Sequence, residues 1–188
     1  MRQIIACLLL IFSTLACANS NERLKEANFP ARWSDGPQTL ELKSQTVLTY
    51  LWADIYAAAL YASPDISARQ AFSEQRDQRL ALYYFRDIDR SDVIKAASST
   101  LQRQQTATTL ARLKPQLDAL HQSFKDIRQG DRYALDYRSG RGLDLERNGQ
   151  VIFSSHDPEL ARVYFGLWLA PDGLSVPLRE TLLAQKPN

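Results

Sequence analysis

The sequence predicts an α+β domain in which helices cover one face of a large, mostly antiparallel sheet. Three observations carry this expectation. Strand-like patterns stand near both ends of the chain. Apolar stripes at helical spacing fill the middle. Turn residues fold the last third into a short meander.

The first residues read as a targeting segment rather than as part of the fold. Arg2 supplies a positive charge, Ile4 to Leu15 is almost wholly apolar, and Ala16-Cys17-Ala18 offers small residues for cleavage. That is the pattern of a signal peptide over residues 1–18, leaving a single domain over 19–188. The run is shorter than the roughly 20 apolar residues of a membrane-spanning helix. A lipoprotein acylated at Cys17 is the alternative, although Thr14 stands where leucine is usual. Membrane attachment is expected only in that case. Both cysteines, Cys7 and Cys17, fall in the leader. The domain that remains has no thiol for a disulfide or a thiolate metal site. Its stability must come from a core.

Asn19 to Asp35 is polar with few anchors and is expected to pack late or fray. Leu40 and Leu42 then alternate with polar residues, and Thr46 to Ala62 is rich in β-branched and aromatic residues, which favour strand. The AAAL run inside it also fits a helix; its flanks favour strand. Gln78 to Asp87 is the clearest strand. Leu80, Leu82 and Tyr84 share one face, while Ala81, Tyr83 and Phe85 share the other. Apolar residues on both faces predict a central strand covered on both sides.

A helix follows, with Ser91 as its expected N-cap and Val93, Ile94, Ala97 and Leu101 on one stripe. Leu110, Leu113, Leu117, Leu120, Phe124 and Ile127 continue as a second stripe. Pro115 interrupts it and is expected to begin a separate helix, because proline suits a first helical position. Gly130 follows as a helix-ending glycine. Tyr133, Leu135 and Tyr137 alternate, Ser139-Gly140 turns the chain, Leu143 and Leu145 alternate again, and Asn148-Gly149 signals a hairpin into Val151 and Phe153. Asp157-Pro158 caps a helix whose apolar face is Leu160, Val163, Tyr164, Leu167 and Trp168. Pro171 and Asp172-Gly173 end it, and a short final helix follows.

Composition narrows the function. The chain carries 23 Lys+Arg against 21 Asp+Glu, a net charge of +2 that falls to +1 without Arg2. The charges are interspersed, without the concentrated basic face that nucleic-acid binding calls for. His121 and His156 are too few and too separate for a metal centre. No Gly-x-Ser-x-Gly elbow or phosphate-cradling glycine motif appears. The tyrosines of the expected strands, Tyr50, Tyr56, Tyr61, Tyr83 and Tyr84, pair apolar rings with hydroxyls, which suits either a core or a lipid or phenolic ligand.

Four blocks together resemble the bacterial chalcone isomerase-like proteins. They are DIYAAALYAS at 54–63, LALYYFRDIDRSDVIKAA at 80–97, FKDIRQGDRYALDY at 124–137 and NGQVIFSSHDPELARVYFGLWLAPD at 148–172. The resemblance implies an open-faced β-sandwich: a large antiparallel sheet with a helical layer and a cleft between them. In plant relatives that cleft closes a chalcone ring by an intramolecular Michael-type addition. Related non-catalytic members bind fatty acids there, with an arginine and a tyrosine holding the carboxylate. The arginine lies on the strand before the tyrosine strand. This chain matches the tyrosine with Tyr56 but has no arginine between Arg32 and Arg69. Thr46-Val47-Leu48 stands near the expected place, and Lys43 is the nearby cation. The guanidinium fork that would hold a carboxylate or enolate is therefore missing.

The expected ligand-binding residues are Tyr56, Lys43, Tyr84 and Tyr61, with no catalytic residue, metal or cofactor assigned. The leading reading is a secreted, periplasmic protein that binds a small hydrophobic or fatty-acid-like molecule without chemistry. An intramolecular lyase or isomerase is the second reading, and an envelope interaction module using an exposed apolar patch is the third.

Overall fold

The computed structural model describes residues 20–36 and 38–184. The expected signal peptide and both cysteines lie outside the described residues. Seven strands form one sheet in chain order, each antiparallel to its neighbours. They are β1 (Arg32–Asp35), β2 (Gln38–Tyr50), β3 (Ala53–Ala62), β4 (Gln78–Tyr84), β5 (Arg132–Arg138), β6 (Gly142–Arg147) and β7 (Gln150–Ser155). Register shifts in β2–β3 and β6–β7 add local twist, and the sheet curls.

Helix α1 spans residues 20–27. The others are α2 (Ala68–Ser73), α3 (Arg90–Gln104), α4 (Ala107–Ser123), α5 (Pro158–Leu169) and α6 (Val176–Leu182). Ser67, Thr106, Asp157 and Ser175 cap α2, α4, α5 and α6 by accepting backbone N–H bonds at their first turns. Helix α5 lies in the middle of the helical layer. Nearly all of its residues after Glu159 are buried, beyond the single face the spacing predicts. It contacts β6 on one side and α2, α3, α4 and α6 on others, so an all-round apolar surface suits it.

The central strand is β4, and its two faces meet different layers. Leu80, Leu82 and Tyr84 join the main core under the helices. Ala81, Tyr83 and Phe85 meet the N-terminal segment on the outer face. That segment is ordered structure, contrary to the expectation of fraying. Leu24 and Ala27 of α1 pack on Ala57 and Phe85, and Trp33 packs in the cluster of Leu40 and Tyr61. Its few apolar residues fall where α1 and β1 cover an otherwise bare sheet face.

Three further expectations are corrected. The strand-favouring stretch from Thr46 to Ala62 belongs to two strands, because the chain reverses at Leu51-Trp52. Helix α3 begins at Arg90, with Asp89 in the cap position. The Asp126 carboxylate takes up the Arg90 backbone N–H instead of a local side chain. Pro115 lies inside α4 rather than starting a new helix. It sits on the exposed face, where solvent can reach the carbonyl left without its N–H partner. Phe124 then caps α4, and Ile127 leaves the stripe to pair with Ile88.

Gly142 permits the closest backbone approach in the meander. Its φ is +106°, and a Cβ there would collide with the Ser155 carbonyl and stand 2.8 Å from the His156 Cα. Both obstacles are backbone, so no side chain can swing aside. Gly142→Ala is expected to lower stability by roughly 2–3 kcal/mol in denaturant unfolding. A loss below about 0.5 kcal/mol would mean β6 and β7 separate more easily than this packing allows.

Candidate functional site

Between the inner sheet face and the helical layer lies a cavity of about 760 Å³, within the roughly 300–1,000 Å³ typical of small-molecule sites. Period-two alternation aims Tyr56 of β3, Leu80, Leu82 and Tyr84 of β4, and Tyr133 and Leu135 of β5 into it. Val93 and Ala97 of α3 and Tyr164, Leu167 and Trp168 of α5 close the opposite side. Leu48, Thr49 and Tyr50 of β2 and the Leu174–Pro177 stretch complete the wall. Tyr50 and Val176 line the cavity while remaining largely exposed, which places its mouth beside them. Among the described residues, Asp92 is the single charged side chain in the wall; no lysine or arginine lines it.

The aromatic residues of the cavity touch one another in series. The Tyr56 and Tyr84 rings meet edge-on at 5.4 Å, and Tyr84 meets Tyr133 edge-on at 6.0 Å. Tyr133 stacks on Phe124 at 5.3 Å, and Tyr164 meets Trp168 at 6.3 Å. Trp168 Nε1 donates to the Tyr56 hydroxyl oxygen at 3.0 Å. An indole N–H can only donate, so Tyr56 is the acceptor and its own proton is free to point at a ligand. Among the described residues, none gives the Tyr84 or Tyr164 hydroxyl a hydrogen bond that would offset its burial.

Burial pushes the Tyr56 phenol well above its ordinary value, with the Trp168 hydrogen bond working the other way. Burial also raises Tyr84, helped by Tyr56, Tyr133 and Tyr164 nearby. Tyr164 rises through burial alone. These phenols stay neutral at physiological pH. They can donate hydrogen bonds, but none is poised as a base.

The structure separates the four residues singled out from sequence. Tyr56 and Tyr84 line the cavity together. Tyr61 does not: five residues from Tyr56 is an odd step, so it points to the outer face. There its hydroxyl donates to the Pro30 carbonyl, and burial pushes the phenol up to about 12. Lys43 occupies the β2 irregularity between Leu42 and Ser44, donates to the Pro64 carbonyl at 3.1 Å, and lies outside the cavity wall. The residue paired with Tyr56 on the preceding strand is Leu48. An apolar side chain therefore faces Tyr56 from the strand on which the resemblance implies an arginine.

Trp168, Tyr164 and Tyr133 are members of the site that periodicity assigned to helix or strand packing. The sequence signal for Trp168 is its place on the apolar helix face and within the 148–172 block, neither of which separates cavity wall from core. The histidines do not converge: His121 lies against Tyr164, and His156 Nδ1 bonds the Arg141 carbonyl at 2.7 Å. Among the described residues no group of three His, Cys, Asp or Glu could hold a metal ion.

A curled antiparallel sheet, a helical layer and an apolar cavity between them define the class as chalcone isomerase-like. The chalcone isomerase-like family model matches residues 21–184, and the chain belongs to that family. Among solved structures it is similar to a fatty-acid binding protein of Arabidopsis thaliana, at 16% identity and a TM-score of 0.59. The match covers 82% of this chain and 90% of that one. At that identity the likeness shows the fold alone. No curated protein matches the sequence.

Proposed function

We propose that this protein binds, without chemistry, an elongated apolar molecule that ends in an uncharged acceptor oxygen, such as a fatty alcohol, a fatty ester or a protonated fatty acid. The observation that carries this reading is a large apolar cavity whose polar lining includes neutral phenols with unengaged donor protons, Tyr56 among them, and no cation among the described residues. An ionised carboxylate would enter an apolar site without a positive partner, which is costly. A neutral hydroxyl or carbonyl needs only the Tyr56 proton. Export through the 1–18 leader, with the domain over 19–188 acting in the periplasm, belongs to the same proposal. Its support is the leader pattern. The solved fatty-acid binding protein of the same fold makes an acyl chain a reasonable cargo.

Competitive displacement of a fluorescent probe at pH 8, using hexadecanol and palmitate, tests the reading. Hexadecanol is expected to bind at least as tightly as palmitate. Tyr56→Phe should weaken hexadecanol by roughly fivefold, about 1 kcal/mol for one lost hydrogen bond. A tenfold preference of the wild type for palmitate would overturn the neutral-ligand reading. Conversion of naringenin chalcone above background, lost in Tyr56→Phe, would replace it with the isomerase reading.

A further inference from the structure

The two-residue turns that close β2–β3 and β6–β7 differ in kind. The β6–β7 turn is Asn148-Gly149, with φ of 52° and 81°. Asparagine and glycine are the residues that this left-handed conformation favours. The β2–β3 turn is Leu51-Trp52, with φ of 45° and 70°. Neither side chain suits that region of backbone space, so the turn is strained.

The strain is not compensated by packing. Tyr50 is 65% exposed, Leu51 73% and Trp52 99%. Backbone strain combined with exposed apolar side chains points to a role outside the fold itself. The tip is also continuous with the cavity: Tyr50 belongs to both, and Val176, 57% exposed at the start of α6, lines the same cavity. The carboxylate beyond the tip, Asp54, is engaged by Arg23 and by the Thr49 hydroxyl.

The occupant follows from size and chemistry. A stable protein interface takes roughly 20–30 residues a side. The exposed apolar patch here is a hairpin tip and one neighbouring valine. Tryptophan and tyrosine with a neighbouring leucine suit the headgroup level of a bilayer, where a single tip can insert. Among the described residues no helix is long and apolar enough to cross a membrane. We propose that the Tyr50-Leu51-Trp52 tip inserts into the headgroup layer of a lipid bilayer and seats the cavity mouth on it, so that an apolar ligand passes between bilayer and cavity. The transfer step rests on the function proposed above; the docking step does not.

The test compares the wild type with a Leu51→Asn/Trp52→Gly double variant, both carrying the same N-terminus. The variant copies the Asn-Gly turn of β6–β7, so its fold is kept and its melting temperature should rise as strain is relieved. The probe is phosphatidylethanolamine–phosphatidylglycerol vesicles, with and without brominated acyl chains. The wild type should co-sediment with them, and its tryptophan emission should be quenched by the brominated lipid. The signal should change little with salt, because the tip is uncharged. The variant should bind at least tenfold more weakly, yet keep its hexadecanol affinity in detergent-free solution.

Equal vesicle binding by both proteins would overturn the proposal, as would wild-type protein that stays in the supernatant. Self-association lost in the variant, without vesicle binding, would assign the tip to a protein contact instead. Vesicle docking by a protein that takes up no hexadecanol would leave the tip proposal standing and sink the carrier reading.

Discussion

Leu48→Arg is expected to turn a site for neutral head groups into one for carboxylates. Leu48 lines the cavity and pairs directly with Tyr56. A guanidinium there would reach the same end of the ligand as the Tyr56 proton and offer two parallel donors to a carboxylate. A charge-assisted contact of this kind contributes about 2 kcal/mol, so palmitate at pH 8 should gain roughly 30-fold over hexadecanol relative to the wild-type ratio. The empty variant should melt below the wild type, because an unpaired charge in an apolar wall is unfavourable. Palmitate should restore much of that loss through binding. Leu48→Met, which keeps the wall apolar, should leave the ratio alone. If Leu48→Arg keeps the wild-type ratio, the polar end of the ligand does not sit at Tyr56.

That substitution also marks how far the sequence could be read. The missing arginine was legible because a resemblance named its strand. The register that sets Leu48 against Tyr56 needed coordinates. The alternation in Gln78–Asp87 correctly placed a central strand with two apolar faces, and Asn148-Gly149 and Asp157-Pro158 marked a hairpin and a cap by local chemistry alone. Leu51-Trp52 gave no such signal. Its residues are poor turn formers, so two strands were read as one block. Tyr61 was excluded by parity alone, an argument that the sequence already contained: an odd step from Tyr56 means the opposite face. Trp168 was harder, because a helix face that lines a cavity has the same spacing as one that fills a core.

The outer face explains why the sheet can leave its inner side partly hollow. Alternation puts Arg79, Asp136 and Arg138 on that face, with Glu146 joining Arg79 from the side of the sheet beyond β5. Trp33 of β1 lies under both guanidiniums, 4.1 Å from Arg79 and 4.8 Å from Arg138. Four strands of the chain thus converge on one ionic cluster, and Tyr61 packs beside Trp33 rather than in the cavity. Order that a filled core would provide is supplied in part from this side, which leaves the inner face free to line a cavity. Sequence showed these residues only as the polar half of an alternating pattern, because their partners lie on strands far apart in the chain.

Arg79→Met is accordingly expected to produce the largest stability loss of any change considered. Arg79 gives two hydrogen bonds to Glu146, at 2.8 and 2.7 Å, and one to Asp136 at 3.0 Å. Methionine keeps much of the stem volume but leaves two nearly buried carboxylates, with Arg138 the remaining close partner of Asp136 at 2.9 Å. Breaking a buried ionic group in this way costs about 3–5 kcal/mol at pH 7. The pH dependence carries a sign. Burial already pushes the Asp136 carboxyl up, against the pull of Arg138 and Arg79, and losing Arg79 pushes it further. A carboxyl raised in the folded state favours folding below its unfolded value of about 3.9 and loses that contribution as pH climbs through the folded value. The difference between variant and wild type should therefore be smallest near pH 4 and grow toward pH 7, as read from paired urea unfolding curves. A deficit that is flat with pH would mean that lost packing on Trp33, rather than stranded charge, sets the cost.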